Sequence, residues 1–420
     1  MRIVLYSVCL LLIVPAAFAK QSVKNPLDDL AEKADIAEEL MRVGNLNLEA
    51  NRDNEAKRLF KLAEIKLRNP AEARLGLAEI RIQNSDLRRA KYGCRKMERD
   101  FPKSPLGAIC FGRMWLKFDR SARAIENFEA VRQSGDVRAI VGLARTYDYM
   151  NEWDKSVELY KEAIEKGAGY DAWLGLALVR ERKGEMSDAL KAAKKAVEIE
   201  SHSAFALYHL GRMLKTGTDA AALVEKALLI RPNWADAYGT LGEIWISEDP
   251  GKAVEAFRKA IALEPDRGTF HIGLGTALFH QKKNEEARVE LNKALELVPN
   301  HIEATRMLSQ VELEAGNTER AIQLAETAVQ LSPNNAEICF ETAFLFFKIK
   351  RFTQANAYFI RTLSMVPDST ASKVYMGDIA CDRRMYSDGV SHYKEALKGD
   401  MKGFSKSDIA SRIKKCSSQK

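Results

Sequence analysis

The feature that most constrains this chain is a sequence pattern that returns about every 34 residues. The segment AFRKAIALEP at residues 256–265 is followed by the similar segment ELNKALELVP at residues 290–299. Prolines recur at nearly the same interval, at Pro232, Pro265, Pro299, Pro333 and Pro367. A period in this range is typical of tandem repeats, in which each unit packs only against its neighbours. The chain therefore predicts one long array of helical units.

The unit at residues 268–301 shows why the pattern repeats. Its first half places apolar and small residues on one helical face at i, i+3, i+4 and i+7, namely His271, Leu274, Gly275 and Leu278. Its second half does the same after a polar turn, with Ala287, Leu291 and Ala294, until Pro299 stops the helix. Small residues let the two helices pack closely. The pair leaves an apolar flank that only another pair can bury.

These units resemble the tetratricopeptide repeat, a helix-turn-helix with Leu-Gly, aromatic, alanine and proline residues at fixed positions. The matching residues in one unit are Leu241, Gly242, Trp245, Ala253, Phe257, Ala260 and Pro265. In this register eleven units lie end to end at 37–70, 71–104, 105–136, 137–169, 170–203, 204–234, 235–267, 268–301, 302–335, 336–369 and 370–403. The last unit departs from the pattern, with Gly389 where alanine is expected. The resemblance implies an all-α, right-handed superhelical solenoid of about eleven repeats over residues 37–403.

Both ends of the array predict additional helices. Asn25 and Pro26 are suited to cap and begin a helix, so residues 20–36 are interpreted as a lead-in helix. At the other end, Ser405 can cap a last helix with an apolar side and a basic tail. Residues 404–420 are therefore interpreted as a capping helix, with contact to an anionic surface as the alternative for the basic tail.

Residues 1–19 follow a different pattern. Arg2 precedes an unbroken apolar run at residues 3–14, and Ala17, Phe18 and Ala19 give the small-x-small pattern of a signal peptidase site. The apolar run is too short to span a bilayer comfortably. The sequence therefore predicts a cleavable signal peptide, with an uncleaved anchor as the alternative. Export implies the periplasm, or secretion as the alternative destination.

Cysteine usage leads to a structural expectation. Five cysteines follow the proposed signal: Cys94, Cys110, Cys339, Cys381 and Cys416. They form no CxxC pair, their number is odd, and a chain of this length does not need disulfides to build its core. We expect small, buried, unbonded side chains. Cys94 and Cys110, in neighbouring units, are the one pair that remains open to a bond.

The sequence argues against catalysis and against a cofactor. Its six histidines are scattered, and no metal-ligand spacing, phosphate-binding glycine motif or nucleophile elbow occurs. His271 lies at a packing position and is expected in the core. The net charge of +7 arises from 65 basic and 58 acidic residues, which is typical of solvated helices rather than of a nucleic-acid-binding surface. We expect a non-enzyme without catalytic, metal-binding or cofactor-binding residues and without a nucleic acid partner.

The family resemblance assigns partner binding to the concave face, at positions 2, 5, 9, 12 and 13 of each first helix. A basic zone with interleaved tyrosines comprises Arg113, Lys117, Arg145, Tyr149, Tyr208, Arg212 and Lys215. An aromatic stripe at i, i+4 and i+7 comprises Phe340, Phe344 and Phe347. The basic zone suits carboxylates, and the stripe suits a peptide or a helix. A solvated face and packing against adjacent units are the respective alternatives.

These observations predict a non-catalytic interaction scaffold of the periplasm that holds a protein or peptide partner, acidic partners included, in its groove. By resemblance, exported bacterial proteins of this kind serve the assembly of pili, secretion systems, the outer membrane or polysaccharide export machines. The alternative is a binding module that guides an anionic exopolysaccharide along the same groove.

Overall fold

The computed structural model describes residues 25–34, 36–67, 70–401 and 403–418. Within those ranges the chain forms 24 α-helices, one 3-10 helix and no β-strand, which confirms the predicted all-α architecture. The proposed signal peptide lies outside the described residues. The helices divide between two compact units: unit 1 extends to Leu210 and includes Lys226–Pro232, and unit 2 comprises Gly211–Glu225 and the chain from Asn233 onward.

Unit 1 consists of consecutive helix pairs preceded by one short helix. Its helices are α1 (Pro26–Lys33), α2 (Ala37–Glu49), α3 (Asp53–Lys66), α4 (Ala71–Gln83), α5 (Leu87–Asp100), α6 (Leu106–Lys117), α7 (Ser121–Ala130), α8 (Val137–Tyr149), α9 (Trp153–Glu165), α10 (Tyr170–Arg182) and α11 (Met186–Ile199). The division between the units crosses α12 (Ala204–Leu214) and α13 (Thr218–Ile230). Turns within pairs contain left-handed residues such as Asn51 and Gly184, with φ of 57° and 79°. Asn and Gly adopt this conformation at low cost.

Unit 2 continues the same arrangement. Its remaining helices are α14 (Ala235–Trp245), α15 (Pro250–Leu263), α16 (Gly268–His280), α17 (Asn284–Leu297), α18 (Ile302–Glu314), α19 (Thr318–Leu331), α20 (Ala336–Lys348), α21 (Phe352–Met365), α22 (Thr370–Asp382), α23 (Tyr386–Ala396) and α24 (Lys406–Ser417). Helices α2 to α23 make eleven consecutive pairs, and α24 packs on α22 and α23. The prediction of about eleven repeats with a final capping helix is confirmed.

Both terminal helices are capped by the residues that the sequence indicates. The Asn25 side-chain oxygen accepts a hydrogen bond from the Leu27 amide at 2.9 Å, and its Nδ2 donates to the Ile230 carbonyl at 2.7 Å. At α24, Ser405 and Asp408 form a capping box, in which each side chain accepts from the other residue's backbone amide. The hydrogen bonds to the side chains of Asn25 and Ser405 each satisfy an amide that the first turn of a helix leaves without a partner.

An aromatic ring from the second helix of a repeat fills the junction to the next repeat. The wholly buried Phe60 ring lies against Gly44 of its own repeat and Gly76 of the next. A Cβ added at those glycines would come within 2.6 Å and 2.7 Å of the ring, so glycine is required there. Rings placed in the same way against glycines are Phe128, Tyr160, Phe257 and Tyr393. We call such a ring the aromatic wedge.

The expectation of unbonded cysteines is wrong for Cys381 and Cys416, whereas the bond left open between Cys94 and Cys110 is present. Cys94 is bonded to Cys110, Cys381 is bonded to Cys416, and only Cys339 is free among the described residues. Cys94 occupies the wedge position of its repeat, and Cys110 occupies the glycine position of the next, so this disulfide replaces an aromatic wedge. The expectation considered the core of the whole chain, whereas each junction of an array depends on its own contacts.

The second disulfide explains the departure at Gly389. A Cβ at Gly389 would lie 3.1 Å from Cys416 Sγ and still closer to Cys381 Sγ. An alanine would therefore collide with the bonded sulfur atoms. Glycine at this position makes room for the bond that ties α24 to α22.

Polar side chains connect the first repeat of unit 1 to later ones. Glu49, at the end of α2, accepts hydrogen bonds from the hydroxyls of Tyr170 and Ser203, the latter at 2.8 Å. Arg42 Nη1 lies 2.5 Å from Glu200 Oε2. Desolvation raises the pKa of Glu49 to about 7, against the lowering effect of the two hydrogen bonds. We call these five residues the polar latch.

Candidate functional site

The first helices of successive repeats lie side by side within each unit. In unit 1, α4 contacts α6, α6 contacts α8 and α8 contacts α10; in unit 2, α14 contacts α16, α16 contacts α18 and α20 contacts α22. These helices carry the positions that the family resemblance assigns to binding. Side chains from consecutive repeats are thereby brought onto shared surfaces.

Three of the predicted basic residues share one groove in unit 1. Arg113 and Lys117 on α6 and Arg145 on α8 line a cavity of about 240 Å³ together with Glu79 on α4. Arg113 Nη1 lies 3.4 Å from Glu79 Oε2, and Arg145 Nη2 lies 3.6 Å from Asp171 Oδ2. We call this cavity the charged groove. Arg138 also lines it, so three of its four cations, Arg113, Arg138 and Arg145, already face carboxylates of the chain, and an acidic ligand must compete with them.

The two tyrosines predicted beside this zone have different environments. Tyr149 ends α8 with its ring 55% exposed, and its hydroxyl donates to Asp119 Oδ1 at 2.5 Å. That hydrogen bond raises the pKa of Tyr149. Tyr208 is only 8% exposed and packs edge to face with His209, with 4.9 Å between ring centroids. The expectation that Tyr208 belongs to an exposed binding surface is wrong, because its ring is used in packing.

Arg212 and Lys215 belong to unit 2 and form a separate part of the predicted zone. Desolvation raises the pKa of Glu243 on α14, and the nearby charge of Arg212 opposes that rise. Lys215 is exposed in the turn after α12, where its φ is 68°. The basic zone therefore falls into two parts, and the charged groove is the part in which several cations line one cavity.

The aromatic stripe on α20 is half-buried. Tyr375 on α22 packs against Phe340, Phe344 and Phe347, with ring centroids 6.1, 5.1 and 5.1 Å away. Phe340 and Phe344 also stack on each other at 6.4 Å. Packing by the adjacent repeat thus covers part of the stripe. Phe340 and Phe344 keep a side toward a neighbouring cavity.

That cavity is a largely apolar pocket formed by α16, α18, α19 and α20. Its volume of about 470 Å³ lies within the range of about 300–1,000 Å³ typical of ligand sites. Its apolar wall includes Phe279, Leu313, Ala325, Phe340, Phe344 and Leu345. Charged residues at its edge and floor include Arg306, Glu341 and Lys348. We call it the aromatic pocket.

Of the residues that line this pocket, the sequence analysis singled out Phe340 and Phe344 and missed the others, among them Ala325 and Glu341. Ala325 occupies the wedge position of its repeat, and Glu341 occupies the following glycine position. The repeat register contains this signal, because both positions can be read directly from the alignment of units. A search for prominent aromatic and basic side chains does not detect a site that is created by a missing ring.

His271 is a core residue, as the sequence predicts. It is 7% exposed, its Nδ1 lies 2.7 Å from Glu290 Oε2, and its Nε2 lies 2.9 Å from the Pro265 carbonyl oxygen. Over the described ranges, no group of His, Cys, Asp and Glu is arranged to hold a metal ion. No helix in the same part of the chain is long and apolar enough to cross a membrane.

The repeat pattern is also recognised by comparison with known families. Models described as the tetratricopeptide repeat match residues 141–204, 245–311 and 312–373. These matches fall on helix pairs in both units. They show that these parts of the chain are tetratricopeptide repeats, and the eleven helix pairs continue the same arrangement. The resemblance seen in the sequence is confirmed.

Relatives with known names match only part of their length. The type IV pilus assembly protein PilF of Pseudomonas aeruginosa is 29% identical over 164 residues, which cover 38% of this chain and 65% of PilF. The mitochondrial import receptor subunit TOM70 of Rattus norvegicus is 25% identical over 168 residues, which cover 39% of this chain and 28% of TOM70. The solved structure of yeast Tom70 gives a TM-score of 0.47 at 13% identity, over 91% of this chain and 96% of that one. The chain thus spans less than two thirds of the two named relatives.

Proposed function

We propose that this protein is a non-catalytic scaffold that binds a partner protein or peptide on the surface formed by the first helices of its repeats. The aromatic pocket carries the proposal, because it is an apolar recess beside the half-buried rings of Phe340 and Phe344. Recesses next to aromatic anchors are typical of peptide-docking surfaces. Tight repeat packing keeps such a surface preformed, which lowers the ordering cost of binding.

The compartment we propose is the periplasm, with secretion as the alternative. Residues 1–19 have the pattern of a signal peptide. Two disulfides suit an oxidising compartment. The relative PilF is a type IV pilus assembly protein. The role we propose is therefore the assembly of an envelope machine, such as a pilus, a secretion system, the outer membrane or a polysaccharide exporter.

Guidance of an anionic exopolysaccharide is the weaker proposal. It requires free cations and exposed ring faces along a continuous groove. Arg113 and Arg145 face Glu79 and Asp171 within the chain, and Tyr208 is buried. These contacts reduce what the charged groove offers to a polymer, so we favour a protein partner.

In-cell photocrosslinking tests the scaffold. A photoreactive residue is placed at position 344, beside the aromatic pocket, and separately at position 145, in the charged groove. A third substitution at Val289, which is 65% exposed on α17, serves as the control. We expect position 344 to capture one defined protein that the control does not capture. Capture of polymer alone, or equal capture at all three positions, would contradict the scaffold proposal.

A charge-reversal variant tests whether the partner is acidic. In R113E/R145E/R212E, three cations become anions, and capture of an acidic partner by a photoreactive residue at position 117, which lines the same groove, should fall at least tenfold, which corresponds to about 1.4 kcal/mol. Reversal of the exposed Arg89 and Arg99 on α5 provides a control of similar charge change. Unchanged capture by the triple variant would exclude a contribution of the charged groove.

A further inference from the structure

The junction between the ninth and tenth repeats lacks its aromatic wedge. At the corresponding position six repeats carry a ring, among them Phe257 and Phe359, which are 1% and 0% exposed. The fifth, sixth and eighth repeats carry Ala193, Val224 and Leu291 there, and α19 carries Ala325. Ala325 cannot fill the space that a phenylalanine fills elsewhere. The aromatic pocket occupies this place, since Ala325 is one of its lining residues. The pocket is thus a structural position of the repeat without its usual occupant.

The opposite wall of the pocket also differs from other junctions. Where Gly273 and Gly76 face wedge rings, the tenth repeat has Glu341, and Ser309 replaces the glycine of the same repeat. Glu341 is therefore directed at the space that a wedge ring would occupy. A side chain that enters this space meets an apolar wall and the Glu341 carboxylate, and the lining also contains Arg306, Glu314 and Lys348.

Only one of the two oxygens of the Glu341 carboxylate has a hydrogen-bond partner. Its Oε1 accepts a hydrogen bond from Arg306 Nη1. Its Oε2 is buried and has no hydrogen-bond partner. A buried acceptor without a partner costs free energy, which a ligand recovers by supplying a donor. Desolvation raises the pKa of Glu341, although Arg306 counteracts the shift, as expected for an acceptor in a poorly solvated position.

The eleventh repeat shows how this chain combines a wedge ring with a carboxylate. Tyr393 fills the junction position against Gly377, and its ring is 2% exposed. Its hydroxyl donates to Asp378 Oδ1 at 2.6 Å. A tyrosine is therefore able to satisfy the packing and the hydrogen-bonding requirements of such a site at once.

We propose that the aromatic pocket receives a tyrosine side chain of the partner, which enters from the surface of α18 and α20, fills the vacant wedge position and donates its hydroxyl to Glu341 Oε2. The inference rests on the proposed scaffold function, because it names the anchor by which the partner is held. Phenylalanine fills the same space but leaves Oε2 unpaired, and it is bound more weakly. Leucine lacks both the ring and the donor.

Titration of the full chain with N-acetyltyrosinamide tests the site directly. Methyl NMR signals of Leu313, Ala325 and Leu345, which line the pocket, are expected to shift with one shared affinity. N-acetylphenylalaninamide should bind about tenfold more weakly, the effect of one hydrogen bond to a charged group. N-acetylleucinamide should bind more weakly still.

Two variants isolate the two parts of the site. A325F restores the wedge and should abolish the shifts; its fold is expected to tolerate the ring, because Phe359 packs beside Ala343 and Tyr375 without flanking glycines. E341L keeps the approximate shape, removes the acceptor and should bring the two aromatic probes to equal affinity. V289F adds a phenylalanine at an exposed position and should bind like the unmodified protein.

The outcomes separate this inference from the scaffold proposal. Absence of pocket shifts with N-acetyltyrosinamide, or unaltered binding by A325F, would overturn the tyrosine site. A tyrosine preference that survives in E341L would overturn the role of Glu341. Capture of a partner at position 344 together with a negative titration would leave the scaffold and remove the anchor. Binding of N-acetyltyrosinamide without any captured partner would support the tyrosine site and contradict the scaffold proposal.

Discussion

Unit 1 and unit 2 are built from the same repeat, yet they differ in the spaces and unpaired polar groups that they offer to a ligand. From α3 to α10 of unit 1, the junctions carry Phe60, a disulfide, Phe128 and Tyr160, and the cations of the charged groove face carboxylates of the chain. In unit 2, Ala325 leaves one junction open and Glu341 keeps an unpaired buried oxygen. We therefore favour the open junction beside Glu341 over the paired cations of the charged groove as the place where a ligand binds.

The comparison is broken most strongly by replacing a wedge ring of unit 1 with alanine, the residue that α19 carries at the same position. Phe128 is wholly buried against Gly112 and Gly142. F128A should cost about 3–5 kcal/mol, the usual result of truncating a buried phenylalanine. Because repeats contact only their neighbours, hydrogen exchange should accelerate in α6 to α9 and much less in unit 2.

A matched truncation at the surface provides the control for F128A. Tyr92 on α5 is 63% exposed, and Y92A should change the exchange rates little. Similar acceleration in both variants, or acceleration spread evenly over the chain, would show that the wedge does not hold the junction as described.

Removal of the disulfide that replaces a wedge should have the next largest effect. Cys94 and Cys110 are 16 residues apart, and a bond that closes a loop of this size contributes about 3 kcal/mol. C94S/C110S should therefore lower the denaturant midpoint for unfolding of unit 1. A reducing agent should lower the midpoint of the unmodified protein and leave that of the variant almost unchanged, apart from any effect on the other disulfide.

Cys339 supplies the control for that experiment, because it is buried and unbonded. C339S changes a buried thiol without removing a cross-link and should not alter the response to the reducing agent. If C94S/C110S and the unmodified protein unfold at the same denaturant concentration, the bond makes no contribution to this junction.

The polar latch should give a smaller effect that depends on pH. The folded-state pKa of Glu49 is about 7 against an ordinary 4.5, so the folded chain binds this proton more tightly than the unfolded chain. The resulting stabilisation is present below about pH 4.5 and is lost as the pH rises through about 7. E49Q, which stays neutral, should exceed the unmodified protein in stability at about pH 8, by on the order of 1 kcal/mol.

Thermal unfolding of E49Q and of the unmodified protein at several pH values measures this difference. The two proteins should converge toward about pH 5, where Glu49 itself is neutral in the folded chain. E126Q, at an exposed position of α7, should keep the pH dependence of the unmodified protein. A pH dependence that is the same in E49Q would rule out Glu49 as its source.

The smallest effect is expected where a polar contact is exposed. Y149F removes a hydrogen bond between Tyr149 and Asp119 that lies in solvent, and should leave stability almost unchanged. Y160F removes the hydroxyl of a wedge ring that is 1% exposed and should cost about 1 kcal/mol. Calorimetric melting of both variants measures the two losses of stability. A larger loss in Y149F than in Y160F would contradict the expected order.

The fold could be predicted from the sequence because its information is local and periodic. The spacing of Gly242, Phe257 and Pro265, repeated along the chain, defines helix pairs and their register without reference to distant contacts. The same register predicts the end caps at Asn25 and Ser405, since each cap depends on residues two or three positions away.

The candidate site was less accessible to prediction because its properties depend on pairs distant in sequence. Arg113 donates a hydrogen bond to the Glu79 carboxylate, 34 residues earlier in the sequence. The Glu49 carboxylate accepts one from the hydroxyl of Tyr170, 121 residues later. Burial of Tyr208 likewise depends on how the helices around it pack. The two disulfides belong to the same class of contact, because only the packed repeats bring each pair of sulfur atoms together.

Those two disulfides have a mechanical consequence. A solenoid under tension can release its chain one repeat after another, since each repeat is held only by its neighbours. The 16-residue and 35-residue segments closed by the bonds cannot lengthen in this way. At roughly 3.3–3.6 Å per extended residue, they withhold on the order of 55 Å and 120 Å of chain from any pulling partner. The protein should therefore transmit force through these two segments at a fixed length as long as the bonds remain oxidised.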